Sequence, residues 1–252
     1  MCSLKTALSA AANWAARPFG VAVVSARKWD EFRSDPEETF RFAGREYPFF
    51  LHHYNCGRHP GTATERTVEL ALADAWLNRA PAEKVVEIGA VTPYYWPRRV
   101  ARVVDPADTH PQVTDHSSIL DLDMTGQAVL CLSTLEHVGS GEFGLPPDPA
   151  AQRRAIDKLC SEAAAFLITM PAGYNPQTDK VLFDDPLPAN VTARYLVRSP
   201  ELPYWREETD RAAARRPYGL AAGGYCRWAT SVAVWERGGY LDGPAGPPGG
   251  HV

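Results

Sequence analysis

The feature that most constrains this chain is a series of short apolar runs that each end in turn-forming or polar residues. The runs lie at residues 84–88, 100–104, 127–133 and 165–170. Short, continuously apolar runs are typical of strands in a parallel sheet with both faces covered. The first run is followed by Gly89, where the backbone can turn tightly, and the second by Asp105. Because open α/β sheets bind ligands at the carboxyl ends of their strands, we expect the functional site there.

Two segments beside these runs have the pattern of amphipathic helices. Residues 65–78 carry a broad apolar face and follow Thr64, a residue type that caps helix N-termini. Residues 149–164 follow Asp148, a second capping residue type. Strands that alternate with helices predict an α/β fold with helices on both faces of the sheet.

The pattern changes after Gly173. Residues 192–198 and 228–236 alternate between apolar and polar residues, which predicts a pair of antiparallel strands at the edge of the sheet. The charged stretch 205–216 between them is predicted to be helical.

By composition the chain divides into three parts. Residues 1–61 are predicted to form an N-terminal extension, partly helical and dense in aromatic residues at 46–54, which could act as a substrate lid. Residues 62–240 contain the apolar runs and form the main domain. Residues 241–252 are rich in glycine and proline and predict a flexible tail.

The net charge and the spacing of the cysteines argue against several classes of protein. The chain of 252 residues has a net charge of −4, so it lacks the basic excess expected of a nucleic-acid-binding protein. Its five cysteines are scattered and never spaced C-x-x-C, which argues against a disulfide framework and a structural zinc site. No apolar run reaches the roughly 18 residues of a membrane-spanning helix. We therefore expect a cytoplasmic protein that does not cross a membrane.

In their order and spacing, the segments resemble those of the class I S-adenosylmethionine-dependent methyltransferases, over roughly residues 62–237. Val85-Val-Glu-Ile-Gly89 is similar to the first motif of that family, and residues 132–138 are similar to its segment after the fourth strand. The resemblance implies a Rossmann-like, mostly parallel sheet of seven strands whose last strand is antiparallel. It also implies S-adenosylmethionine as the cofactor.

The resemblance implies roles for residues at the strand ends. Asp105 stands where the family holds the cofactor ribose, since one carboxylate can accept hydrogen bonds from two hydroxyl groups. Asp121 takes the place of the acid that is common where Ser118 stands, beside the adenine ring. Arg66 could pair with the cofactor carboxylate. The cofactor residues implied in this way are Tyr54, Arg66, Glu87, Gly89, Ala90, Asp105, Ser118, Ile119, Asp121, Ser133, Thr134 and Glu136.

The first motif departs from the family pattern in its glycines. The family loop carries two or three of them, whereas here Gly89 is followed by Ala90, Val91 and Thr92. Alanine can replace glycine where φ is negative, so the departure is compatible with a cofactor site. One alternative is a catalytically inactive partner protein that kept the fold. A nicotinamide-dependent oxidoreductase is another, and the poor glycine pattern counts against it.

The chemistry of methyl transfer singles out two histidines. In-line positioning of the acceptor and the methyl group does most of the work, and a hydroxyl acceptor also benefits from a general base. His137 follows the predicted strand at 127–133 and lies at the expected site, so it is the first candidate, and His53 in the aromatic N-terminal segment is the second. No metal is expected, because the loop acids show no fixed ligand spacing.

The acceptor is expected to be a small molecule, because the aromatic segment and the loop 139–149 could enclose a pocket. The Asn/Asp-Pro-Pro-Tyr and Pro-Cys motifs of nucleic-acid methylation are absent. The Ala-, Arg- and Pro-rich composition indicates a GC-rich bacterial genome, in which such enzymes decorate secondary metabolites, as in antibiotic biosynthesis, or sugars. A hydroxyl acceptor is therefore predicted, with a nitrogen or carbon acceptor as the alternative.

Overall fold

The computed structural model describes residues 34–50, 64–96, 98–199, 204–219 and 228–242. The predicted helix near the N-terminus, His53, Tyr54 and the tail from residue 243 lie outside the described residues.

Nine strands are described. In chain order they are β1 (Ser34–Phe42), β2 (Arg45–Phe50), β3 (Val85–Ile88), β4 (Arg102–Val104), β5 (Ala128–Leu132), β6 (Ala165–Pro171), β7 (Thr192–Arg198), β8 (Trp205–Glu208) and β9 (Ser231–Arg237). The last seven form one sheet in the spatial order β4-β3-β5-β6-β9-β7-β8.

The parallel part of this sheet consists of β4, β3, β5 and β6, which pair in the same direction. The last strand, β9, lies between β6 and β7 and runs antiparallel to both. An isolated parallel bridge between Val104 and Asp115 extends the sheet beyond β4. The predicted fold class, a Rossmann-like and mostly parallel sheet of seven strands with the last strand antiparallel, is therefore confirmed.

Helices cover both faces of the sheet. Successive residues of a strand point to opposite faces, so neighbours in one strand pack against different helices. Leu130 of β5 packs in a buried cluster with Leu72 of helix α1 (Arg66–Leu77). Its neighbour Cys131 packs in a second buried cluster with Ile156 of helix α2 (Ala151–Glu162). Both helices lie where the apolar periodicity predicts them.

Neither predicted capping residue is an N-cap in the structure, and no side-chain hydrogen bond caps α2 at its N-cap, Ala150. The N-cap position of α1 is Glu65, not Thr64, and no side chain caps that end of the helix. The carboxylate of Asp148 accepts a hydrogen bond of 3.0 Å from the backbone N–H of Ala150, the residue before α2.

The stretch 205–216 is not one helix, so that prediction was wrong. Residues 205–208 form strand β8, which pairs antiparallel with β7 and carries the fully buried Trp205. A single helical turn, Arg211–Ala214, follows. Pairing with an available strand edge and burial of the indole outweigh the helical propensity of the charged residues.

The described part of the N-terminal extension is a hairpin rather than a helix. Strands β1 and β2 are joined by Ala43 and Gly44, whose φ angles of 51° and 74° are those of a tight hairpin turn. The hairpin packs against α1, where the hydroxyl group of Thr67 donates to the backbone oxygen of Phe50 at 2.8 Å. Its aromatic residues thus contribute to the core. Among the described helices, none is both long enough and apolar enough to cross a membrane.

Candidate active site

A cleft with a volume of about 830 Å³ opens at the carboxyl ends of β3, β4 and β5. The sheet topology brings to this cleft residues that are far apart in the sequence. The predicted site residues that line it are Arg66, Gly89, Ala90, Asp105, Ser118, Ile119, Ser133, Thr134 and His137.

Gly89 brings the ends of β3 and β5 into close contact. Its φ angle is +83°, and a Cβ atom at this position would lie 2.0 Å from Oγ1 of Thr134. Only glycine combines this backbone angle with the absence of a side chain. The next residue, Ala90, is not among the residues with positive φ, so an alanine is compatible with the turn.

Glu87 lies beneath this turn and does not line the cleft. Its carboxylate accepts hydrogen bonds from the backbone N–H groups of Val91 at 3.0 Å and Thr92 at 2.6 Å, and from the hydroxyl group of Thr92. Burial raises the pKa of Glu87 to about 7. Glu87 therefore shapes the loop from within the core.

Asp105 ties the end of β4 to the same turn. Its Oδ2 accepts from the N–H of Ala90 at 3.0 Å, and its Oδ1 accepts from the N–H groups of Ala107 at 2.9 Å and Asp108 at 2.8 Å. A carboxylate offers about four lone-pair sites, so these three bonds leave room for one further donor. Asp105 can accept a ligand hydroxyl group while it holds the loop.

A buried polar network lies at the base of the cleft. The guanidinium of Arg66 is 3.0 Å from Glu69, which is fully buried. Glu69 also accepts hydrogen bonds from the hydroxyl groups of Ser133 and, at 2.7 Å, Thr169. Burial works against the charge on Arg66, but Glu69 raises its pKa above the usual value. Arg66 is therefore a fixed cation at the wall of the cleft.

Glu136, predicted to bind the cofactor, does not line the cleft. Its side chain is buried, its Oε1 lies 3.8 Å from Nε2 of His137, and its Oε2 has no hydrogen-bond partner among the described residues. Burial raises its pKa well above the usual range, which favours the protonated form. Asp121 is exposed and also does not line the cleft.

His137 is held in position by an acid that sequence reasoning did not identify. Its Nδ1 lies 2.6 Å from Oε2 of Glu142, and Oε1 of Glu142 accepts from the hydroxyl group of Tyr174 at 2.7 Å. The hydrogen bond to His137 is the main reason why the pKa of Glu142 is lowered, so the carboxylate stays ionised. With the proton assigned to Nδ1, Nε2 carries the lone pair that a general base needs, and it lies 3.8 Å from Oε1 of Glu136.

Aromatic rings surround this histidine. The rings of Phe143 and Tyr174 meet the imidazole edge to face, with centroids at 5.2 and 5.0 Å. In the sequence, Glu142 and Phe143 were part of a glycine-rich loop without a motif, and Tyr174 lies beyond β6. No local pattern could have assigned them to the site. Within the described ranges, no group of His, Cys, Asp and Glu side chains could hold a metal ion.

The chain thus has a Rossmann-like α/β fold with a cleft at the carboxyl ends of its parallel strands. No protein-family profile matches the chain, and no curated protein matches it. Among solved structures, the small RNA methyltransferase HEN1 is similar, with 10% identity and a TM-score of 0.36, over 69% of this chain and 26% of that one. Magnesium protoporphyrin IX methyltransferase (ChlM) from Synechocystis PCC 6803 with bound SAM is also similar, with 13% identity and a TM-score of 0.33, over 70% of this chain and 86% of that one. The chain spans about a quarter of the first of these proteins, and likenesses this distant say nothing about activity.

Proposed function

We propose that the protein is an S-adenosylmethionine-dependent methyltransferase that acts on a small-molecule acceptor. The observation that carries the proposal is the composition of the cleft at the ends of β3, β4 and β5. There Gly89 removes side-chain bulk, Asp105 keeps one acceptor site available, and Arg66 supplies a cation.

The residues present fit the cofactor. Asp105 would accept a hydrogen bond from a ribose hydroxyl group. The apolar side chains of Ile88, Val104 and Ile119 line the same cleft and would contact the adenine ring. Arg66 would pair with the carboxylate of the methionine part. When bound, S-adenosylmethionine supplies a sulfonium methyl group whose carbon–sulfur bond breaks with its electron pair left on sulfur.

The acceptor is a hydroxyl group of a small molecule in this proposal. His137 takes the hydroxyl proton at Nε2, while Glu142 fixes the imidazole and stabilises its charged form. A base placed in this way contributes roughly 10²- to 10⁴-fold to a rate. The cleft volume of about 830 Å³ lies in the range of small-molecule sites. A nitrogen acceptor would make less use of the pair formed by His137 and Glu142, and a carbon acceptor would need a stronger base or an activated substrate.

We further propose that the enzyme is cytoplasmic, acts in small-molecule biosynthesis and does not bind nucleic acid. The net charge of −4 supports the last point, because phosphate backbones require a basic surface. A secondary metabolite or a sugar is the broad class of acceptor.

Calorimetric titration with S-adenosylmethionine, S-adenosylhomocysteine and NADH tests the proposal. We expect both adenosyl ligands to bind with micromolar affinity and NADH not to bind. Binding of NADH alone would instead indicate an oxidoreductase.

The second candidate is a catalytically inactive partner protein with the same fold. The observation in its favour is that the loop after β3 has Gly89 as its only glycine and that three backbone N–H groups already occupy Asp105. If none of the three ligands binds, this candidate replaces the first.

A further inference from the structure

Phe143 has two unfavourable features that the fold does not require. Its side chain is 69% exposed, and its φ angle is +55°. A bulky residue in the left-handed region is a backbone outlier, and such strain concentrates at functional sites. The glycines on either side, Gly141 and Gly144, also have positive φ and hold the loop in this shape.

The exposed ring of Phe143 lies at the mouth of the cleft. Its centroid is 5.2 Å from that of His137, at an interplanar angle of 72°. Leu145, which is 38% exposed, and Pro146 line the same cleft. We call Phe143, Leu145 and Pro146 the apolar wall. This wall stands beside the imidazole of His137, whose Nδ1 is engaged by Glu142 and whose Nε2 lies 3.8 Å from Oε1 of Glu136, beyond hydrogen-bond distance.

The charges around the cleft disfavour an anionic occupant. Among the described residues that line it, Arg66 is the only lysine or arginine, and Glu69 is its ion-pair partner. The lining acids Asp105 and Asp108 and the nearby Glu142 are negative instead, whereas the charge of the lining Asp148 is balanced by Arg154 at 2.6 Å. An acceptor with a carboxylate or phosphate beside the apolar wall would therefore meet repulsion from these carboxylates, since Arg154 is already paired with Asp148.

A sugar is also a poor match for this part of the cleft. Sugars carry many hydroxyl groups, each of which loses a hydrogen bond to water when it is buried without a partner. The apolar wall offers only hydrocarbon surface. A flat aromatic ring, in contrast, buries apolar area on Phe143 and can stack on it in an offset or edge-to-face arrangement.

We propose that the apolar wall and His137 form the acceptor subsite, and that the acceptor is an uncharged aromatic compound with a ring hydroxyl group. This inference rests on the proposed methyltransferase function. The acceptor ring packs on Phe143, and its hydroxyl group donates to Nε2 of His137. In the reaction the acceptor oxygen forms the new carbon–oxygen bond with its own electron pair. The carbon–sulfur pair stays on sulfur, and the hydroxyl proton moves to His137.

The test is a calorimetric comparison of 2-naphthol, 2-naphthoate and methyl β-D-glucopyranoside, each with S-adenosylhomocysteine present at saturation. We expect 2-naphthol to bind at least tenfold more tightly than the anion or the sugar. Phe143→Ala removes one aromatic contact and should weaken 2-naphthol binding by about fivefold. The affinity for S-adenosylhomocysteine should not change.

Leu187→Ala is the matched control, since Leu187 is 41% exposed and does not line the cleft. It should leave 2-naphthol binding unchanged. The inference is overturned if 2-naphthol does not bind, if the anion or the sugar binds equally well, or if Phe143→Ala has no more effect than the control. If S-adenosylhomocysteine binds in these cases, the proposed function survives and only the acceptor class is wrong. If S-adenosylhomocysteine itself does not bind, both are overturned.

Discussion

Nδ1 of His137 and Oε2 of Glu142 lie 2.6 Å apart, although a turn that contains two glycines separates the two residues in the chain. His137 ends the short turn after β5, whereas Glu142 belongs to the glycine-rich loop that follows. The hydroxyl group of Ser140 donates to the same carboxylate oxygen at 3.0 Å. The conformation of this loop therefore determines the orientation of the imidazole.

Glu142→Gln should reduce turnover by about 10²-fold, since the amide removes the charge that stabilises protonated His137. The affinity for S-adenosylmethionine should change less than twofold, because Glu142 does not line the cleft. Steady-state kinetics with an aromatic hydroxyl acceptor and calorimetry with the cofactor measure the two effects separately.

The double variant with His137→Ala distinguishes a joint role from a structural one. Residues that act as a unit show strongly non-additive losses. We expect the double variant to be no slower than His137→Ala alone. Additive losses would mean that Glu142 acts independently of the histidine.

Gly89→Ala should destabilise the fold more than a glycine-to-alanine substitution in a turn that has space for the new Cβ atom. The new Cβ atom would lie 2.0 Å from Thr134 Oγ1, and the φ angle of +83° adds strain. Gly126→Ala is the control, because Gly126 has a φ angle of +72° but no atom within 4 Å of the position that a Cβ would take. The control should cost about 1 kcal/mol, and Gly89→Ala should cost about 1–3 kcal/mol more, as measured by urea unfolding. Equal losses would mean that the contact with Thr134 relaxes easily.

Glu87→Gln should change the pH dependence of stability. The pKa of Glu87 is about 7 in the folded protein, against an ordinary value of 4.5. The folded state therefore holds the proton more tightly than the unfolded chain. Its stabilising contribution is complete below pH 4.5 and is lost as the pH rises through about 7. The free energy of unfolding of the variant, relative to wild type, should rise by roughly 3 kcal/mol between pH 4.5 and pH 8. Parallel stability curves over this window would contradict the prediction.

The substitutions Asp105→Asn and Asp121→Asn should differ in their effect on cofactor affinity, although the sequence predicts that both acids bind the cofactor. Asp105 lines the cleft and holds Ala90, so its loss should weaken binding of S-adenosylhomocysteine by more than tenfold. Asp121 is exposed and does not line the cleft, so its replacement should change the affinity less than twofold. Calorimetry measures both, and an equal effect of the two substitutions would contradict the assignment of the ribose site to Asp105.

Phe143→Gly should weaken acceptor binding at least as much as Phe143→Ala, about fivefold, with little change in stability. Relief of the strain at a φ angle of +55° offsets the greater freedom of glycine in the unfolded chain, so the net change should lie within about 1 kcal/mol. Urea unfolding measures the stability and 2-naphthol titration the binding. A loss of several kcal/mol would show that Phe143 supports the fold.

Much of the parallel sheet could be predicted from the sequence because its signals are local. Apolar runs bounded by Gly89, Asp105 and Pro171 mark strands that are buried on both faces, and their alternation with helices limits the possible topologies. The charged residues at 205–216 predict a helix, but residues 205–208 form β8 because the edge of β7 is available to pair with them. That information is not local.

The sequence by itself determined the fold class, the places of the buried parallel strands along the chain, and the edge of the sheet at which a ligand site is expected. Only the tertiary structure decided which polar side chains reach the cleft. Glu87, Glu136 and Asp121 carry the right chemistry at similar positions, yet the first two are buried, the third is exposed, and none of them lines the cleft. The physical reason is that side-chain direction depends on packing between segments, as in the pairing of His137 with Glu142 and Tyr174. Those contacts are fixed only when the chain is folded.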